Sequence, residues 1–449
     1  MALGRHSDFN RLWFGQTVSN FGDKISLLAL PTLAVVFLDG GAFEVGVLGA
    51  LRFLPFLLLA PVAGLVADRV SRRTVMIVAD LGRFAILGSI PLAFVLGDVT
   101  MTHIYIAAAV TGCLTTFFEV AYQSWLPQLI GTENLVEGNT KLQVSRSLAE
   151  AVGAGAGGAL MQILGAARAI TADAFTFLVS LVALLLIRHR DTRDRTLEKK
   201  ETAKAEMKEG LRTLFGTPIL RSLFTANVVV NLGAAMGDAL LIVYAYKVLD
   251  LSPGQVGAAF AVMSVFVIVG AVLSEQVSKA LTLGRTLVLT AVVLGIGYVL
   301  VPTGGAVAGF VGLIVVQAVI GFVSPMFDIH VLSLVQGVTP NEQMGRVSGT
   351  ALSAVYGALS LGYFVGGTLG QGIGLTAALA VAGGITAIGG LSLLAGPVSG
   401  IREMPGGDTA GDGDPGPDLD PRSDSADAPT AEAEERTDGA GRDYTKVSV

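Results

Sequence analysis

Residues 64–73 read Gly64-Leu65-Val66-Ala67-Asp68-Arg69-Val70-Ser71-Arg72-Arg73. They follow an apolar run, 43–67, whose only charges are Glu44 and Arg52, and they open another, 73–97, whose only interior charges are Asp80 and Arg83. Each run exceeds the ~20 residues a helix needs to cross a bilayer core. The break between them is short and basic. Two membrane-length apolar runs joined by a basic loop make a helical hairpin in a membrane.

The same alternation continues in both directions. Apolar runs lie near 12–38, 43–67, 73–97, 102–129, 141–164, 168–188, 220–249, 254–279, 285–303, 307–336, 344–371 and 374–397. They predict an all-α integral membrane protein of about twelve transmembrane helices. Composition agrees: 52% of residues are hydrophobic and only 15% charged, against about 25% charged in a soluble domain. Mean hydropathy is +0.66. The whole chain carries −6, but residues 403–449 hold thirteen Asp or Glu against four Lys or Arg, so the apolar remainder is net +3. The acidic balance describes the tail and points to no partner; nothing here suggests nucleic acid.

Lysine and arginine collect on one set of alternate loops. Arg69, Arg72 and Arg73, Lys141, the block from Arg188 to Arg212, Lys279 and Arg285, Arg346 and Arg402 fall on one side; Arg168 and Lys247 fall on the other. By the positive-inside rule both termini are expected in the cytoplasm of a multi-pass cell-membrane protein. Met1 to Asn10 lack a cleavable apolar core, so the first run is expected to stay. The segment from Arg188 to Pro218 carries Leu197, Met207, Leu211 and Leu214 among charges and reads either as an amphipathic surface helix or as a solvated linker. The tail after Arg402, rich in Asp, Gly, Pro and Ala, is expected to be disordered.

The chain also repeats itself. Glu44-Val-Gly-Val-Leu-Gly-Ala matches Gln255-Val-Gly-Ala-Ala-Phe-Ala, and Asn20-Phe21-Gly22 matches Asn231-Leu232-Gly233. Residues 67–72 (ADRVSR) match 274–279 (SEQVSK), and 132–139 (TENLVEGN) echo 339–346 (TPNEQMGR). Four matches in one order, spaced by about 210 residues, imply a duplication of six spans. The expected organisation is a six-helix half over 1–188, a cytoplasmic linker over 189–219, a second half over 220–402, and the tail 403–449. Six spans per half place the halves in one orientation, the arrangement of transporters that rock two halves about a central site.

At this point a family resemblance emerges. The stretch from Gly64 to Arg73 resembles the Gly-x-x-x-Asp-Arg-x-Gly-Arg-Arg loop signature of the major facilitator superfamily, with Ser71 in place of the second Gly. Phe9-Asn10-Arg11-Leu12-Trp13-Phe14-Gly15-Gln16, followed by Ser19-Asn20-Phe21-Gly22-Asp23, resembles the exporter branch that includes macrolide-efflux and enterobactin-exporter proteins, as does Phe117-Phe118-Glu119-Val120-Ala121-Tyr122-Gln123. The resemblance implies the major facilitator fold and a latch on the cytoplasmic face made by Gly64, Asp68, Arg69, Arg72 and Arg73. It also implies that spans one, four, seven and ten line a central cavity. The family's antiporters often carry Gly-x-x-x-Gly-Pro in the fifth helix; the run Gly153–Gly158 lacks the proline, which counts against antiport.

Charges within spans are expensive, and each is a functional candidate. Asp80 with Arg83, and Arg146 with Glu150, have the spacing of pairs on one helix face. Lys24 follows Asp23 directly and needs a partner elsewhere. Asp173, Asp238 and His330 also lie within spans. Asp328, Glu119 and Asp23 are the candidates for proton coupling, Asp328 and Glu119 being rough counterparts in the two halves. Desolvation favours the neutral form of a carboxylate, so such a group can take a proton from one side and release it to the other. Arg52, Phe118, Tyr122 and Phe327 are cavity candidates. Trp13, Phe21, Phe117 and Trp125 extend a possible aromatic wall, Trp125 reading better as an interfacial anchor. Gly153–Gly158 and Gly366–Gly374 are expected at close helix approaches.

The leading reading is a secondary transporter working by alternating access, a proton-coupled exporter of hydrophobic or amphipathic small molecules of antibiotic or siderophore type, acting as a monomer. Its partners are the substrate, protons and the lipid bilayer. An importer of a polar metabolite is the alternative, with only Arg52 in favour; a non-transporting membrane sensor or scaffold is the alternative of another class. There is no phosphate-binding loop, no zinc spacing and only four scattered histidines, so no enzyme, metal site or cofactor is expected. Cys113, alone in an apolar run, reads as a small hydrophobe.

Overall fold

A computed structural model of the chain describes residues 6–131, 134–189, 203–340 and 343–401. The acidic tail, Arg402 and Leu197 lie outside the described residues. Among the described residues there are twelve α-helices: α1 (Ser7–Thr32), α2 (Ala42–Arg69), α3 (Arg72–Leu96), α4 (Met101–Ile130), α5 (Leu135–Leu164), α6 (Ala166–Leu186), α7 (Ala203–Gly216), α8 (Pro218–Lys247), α9 (Pro253–Leu281), α10 (Leu283–Val338), α11 (Met344–Ile373) and α12 (Leu375–Ser392). A π-helical turn, Leu33–Phe37, extends α1.

Among the described residues ten helices are long and apolar enough to cross a membrane, and α5 is an eleventh if its two limbs, bent by 47° between Glu150 and Gly155, count as one. One of the ten is two crossings. A straight helix of the 56 residues of α10 would be about 84 Å long, nearly three times a hydrocarbon core of about 30 Å. It breaks at Gly309 (φ 55°, ψ −128°) and folds back, so that Gly312 packs on Gly304 and Gly297 on Ile320. Only glycine occupies that backbone region without strain. The break lies a few residues beyond the expected gap at 304–306, just inside the run expected from 307. Counting its two arms, and the bent α5 as one span, gives twelve crossings among the described residues.

Local chemistry sets the ends. Ser252 and Gln255 form a capping box at the start of α9, with Pro253 in the first turn, and Thr100 caps α4. Gly165 (φ 83°) and Gly374 (φ 86°) end α5 and α11, placing boundaries that the glycine-rich sequence blurs. The outer surface is apolar, as lipid requires: Leu92, Val95 and Val307 are 62%, 82% and 89% exposed.

Helices α1 to α6 pack on one another, α1 on α5 and α6, α2 on α4, α3 on α4 and α6. Helices α8 to α12 do likewise, α9 and α12 on α10, α8 on α11 and α12. Two long seams join the groups, α2 against α11 and α5 against α9. The amphipathic stretch of the linker becomes α7, which packs on α11. Its Leu214 is buried with Leu220 and Val347, so this residue faces protein and not a membrane surface. Trp125 is no interfacial anchor: it is fully buried among Phe9, Phe118 and Leu129, where α4 is covered by its neighbours.

Candidate functional site

The glycines of the two seams allow backbones to touch at one end. A methyl group added to Gly158 of α5 would lie 2.1 Å from Cα of Gly257 on α9, and one on Gly46 of α2 would lie 2.7 Å from Cα of Gly367 on α11. The run Gly153–Gly158 and the glycines of 366–374 thus do bring helices together. Around them Gln162 accepts from the backbone N–H of Gly254 at 2.8 Å, and the hydroxyls of Thr32 and Tyr246 bond at 2.8 Å. Lys247 donates to the Asp39 carboxylate at 2.8 Å. That ammonium holds Asp39 below the ordinary carboxylate range. The chain is therefore closed on the face opposite the arginine-rich loops.

On the arginine-rich side both seams part. Nothing lies near Gly64 or Gly349, and Val144 of α5 and Val272 of α9 are 62% and 65% exposed. Between the closed and the parted ends sits a cavity of about 340 Å³, walled by α1, α2, α4, α5, α8, α9, α11 and the second arm of α10. All four expected cavity spans contribute, joined by the four seam helices.

Most of the wall is apolar, from Leu27, Leu30, Leu48, Phe53, Phe260, Met263 and Tyr363. The charged groups are sorted by partner. Lys24 pairs with Glu150 at 3.0 Å, which supplies the partner Lys24 lacks in its own helix. Arg52 stands 3.9 Å from Asp23. Asp238 accepts from the hydroxyl of Tyr298 at 2.7 Å. Asp328 opens on the cavity with no hydrogen bond or ion pair among the described residues.

The candidates chosen from sequence thus separate. Asp328 and Arg52 are in the wall; Asp23 stands behind Arg52. Glu119 is elsewhere, bound by Arg146 at 3.0 and 3.1 Å, so Arg146 pairs across to α4 and not with Glu150. Phe118, Tyr122 and Phe327 are corrected as cavity residues. Phe118 and Phe327 are buried in the packing, the ring of Phe118 lying 4.4 Å under the Arg83 guanidinium. Tyr122 stacks on Phe118 and edges a separate groove between α4 and α5. Asp80 and Arg83 do pair within α3, and Phe177 of α6 covers the guanidinium from another side.

The loop signature is engaged only in part. Gly64 supports no close approach in this conformation. Asp68 is exposed and makes no bond among the described residues. Arg73 donates to the carbonyls of Leu184 and Leu185 at the end of α6, satisfying orphan acceptors there.

Two of the other intramembrane carboxylates also bear on the site. Asp238 lies in the seventh span, where a cavity position was to be expected. Asp173 is wholly buried behind the wall residue Ser26, which donates to it; no sequence signal distinguishes it from the other intramembrane carboxylates.

A central cavity between two packed helix groups, closed at one face and parted at the other, defines a membrane transporter. The chain belongs to the Major Facilitator Superfamily, whose model matches residues 12–362. Similar proteins include the uncharacterized MFS-type transporter YfiS of Bacillus subtilis, 27% identical over 85% of this chain and 91% of that one. The multidrug efflux pump Tap of Mycolicibacterium fortuitum is 26% identical over 81% and 89%. Among solved structures, the nucleoside transporter NupG superposes with a TM-score of 0.69 over 86% of this chain and 98% of that one, at 12% identity. A bacterial homologue of the iron transporter ferroportin in its inward-facing state gives 0.66 over 88% and 99%, at 15% identity. These two likenesses speak for the fold alone. The protein is a multi-pass cell-membrane transporter of small molecules and not an enzyme.

Proposed function

We propose that the protein exports hydrophobic or amphipathic small molecules in exchange for protons. The observation that carries this reading is Asp328, a carboxylate without a partner among the described residues, set in a largely apolar cavity at the meeting of the helix groups. An unpaired charge there is costly, so Asp328 is held neutral by a proton or satisfied by a polar group of the substrate. Competition between the two couples their movements. The wall around it offers area to an apolar body and few fixed polar contacts, which suits a range of shapes. The efflux function of the relative named Tap is in keeping with this direction.

Uptake of an anionic metabolite fits less well. Glu150 and Asp23 already neutralise Lys24 and Arg52, leaving no free cation in the wall among the described residues. With the arginine-rich loops in the cytoplasm, the cavity opens inward and is loaded from the cell interior.

The test is flux in proteoliposomes. A panel of lipophilic antibiotics and dyes is loaded against an imposed pH gradient, and reporter fusions at Gly40 and Ser71 fix the sides. At least one compound is expected to be driven uphill, with Gly40 outside and Ser71 inside. Uphill movement that ignores the pH gradient, or reversed fusions, sinks the proposal.

A further inference from the structure

Where α5 and α9 touch, they run antiparallel in a fixed register. Gln162 meets Gly254, Gly158 meets Gly257, Gly155 meets Ala261, and the carbonyl of Glu150 accepts from Ser264. The numbers of facing residues add to between 414 and 416 throughout. Beyond Glu150 the helices separate; α5 bends by 47° between Glu150 and Gly155, and the Glu150–Ser264 contact carries the register onto its far limb. Steps of three and four residues keep one side of a helix in line, and in α5 they lead from Gly155 to Leu148, Val144, Lys141 and Glu137. In α9 they lead from Ala261 to Ile268, Val272, Glu275 and Lys279.

The same register sets these residues opposite one another. Leu148 falls against Ile268 and Val144 against Val272; all four are 46–65% exposed now. Next, Lys141 falls against Glu275 and Glu137 against Lys279. Both charge pairs are complementary. At present each is paired within its own helix, Glu137 with Lys141 at 2.9 Å and Glu275 with Lys279 at 2.6 Å, the Lys141 ammonium also lying 6.0 Å from the Phe9 ring of α1. Exposed pairs four residues apart are weak and readily exchanged.

We propose that these four charges form a gate on the arginine-rich face. When α5 and α9 close there, the pairs inside each helix are traded for Glu137–Lys279 and Lys141–Glu275 across the seam, below two layers of aliphatic contact. The gate sits eighteen residues, about 27 Å of helix, from the Gly155 contact that is closed in this structure, so the two ends of the seam alternate. The inference rests on alternating access, and its test reads helix approach without any substrate.

In a Cys113→Ser background, Val144→Cys and Val272→Cys are combined in the full chain and oxidised with copper phenanthroline in membrane vesicles. A disulfide is expected, trapping the alternate state. Glu137→Lys or Lys279→Glu alone should slow its formation by roughly two- to fivefold, the leverage of an exposed ion pair. Both together restore the seam pairs while placing like charges four apart in each helix. The double reversal should therefore recover the rate, whereas local helix pairing predicts that it is the worst of the three. Lys141→Glu with Glu275→Lys repeats the test independently, with protein level in the membrane matched throughout. The absence of any cross-link, or double reversals no faster than their singles, overturns the gate.

Discussion

Asp328 owes its place to the second arm of α10, which turns residues 324, 325 and 328 toward the cavity. Asp328→Asn removes the ionisable proton and keeps shape and hydrogen-bonding capacity. It should reduce gradient-driven accumulation to the level of empty liposomes while downhill exchange continues; a variant that still builds a gradient would clear Asp328 of coupling. Glu119→Gln is a useful contrast, because it deprives Arg146 of its carboxylate outside the cavity and should act on protein level first. Pairings at this scale were legible only where helix geometry dictates them. Asp80 and Arg83, three apart, were found together as spacing suggests. Arg146 and Glu150, four apart, were not, since a carboxylate on α4 reaches Arg146 and Lys24 takes Glu150. Sequence spacing reports neighbours on one helix and is blind to a competing partner on the next.

Among elements, the seams decide the conformation, and glycine decides the seams. Gly158→Val puts branched carbons where the Gly257 backbone already sits, and overpacking of this kind costs about 1–3 kcal/mol. That cost applies only while this end of the seam is closed, so the variant should favour the opposite state. Accessibility of Ser26→Cys to a membrane-impermeant maleimide from the face of Gly40 should rise, and unchanged labelling would show that this contact does not hold the closure. The glycine runs were legible as close approaches because little else accounts for them. Their partners were not: Gly64 belongs to the loop signature and touches nothing here, whereas Gly158 meets its counterpart across the seam. Span boundaries were legible only to within a few residues where glycine interrupts an apolar run: the gap expected at 304–306 stops short of the break at Gly309. The 47° bend of α5 has no such single marker within GAGAGG.

For the molecule as a whole, the sequence carried the architecture almost completely, because lipid permits so few alternatives to buried-backbone helices and because the chain repeats with one spacing. Which face is closed was illegible, since both ends of each seam carry small or complementary residues and only coordinates show which set is in contact. One feature of the fold also bears on how the chain is made. Arg83 lies in the third crossing, but the rings that shelter it come later, Phe118 on α4 and Phe177 on α6. At 5–20 residues per second, about 5–20 s of translation separate Arg83 from Phe177. Through that interval α3 holds an ion pair with at most the cover of Phe118, in a setting where each charge costs about 2.5–3.5 kcal/mol to insert. A nascent chain ending at Leu96 should therefore integrate α3 less efficiently than one extended to Leu186, with leucines at positions 80 and 83 abolishing the difference. Equal integration of the two lengths would argue against this. The third helix is then a passenger held at the insertion machinery until the sixth arrives, and the order of synthesis becomes part of what the buried arginine demands.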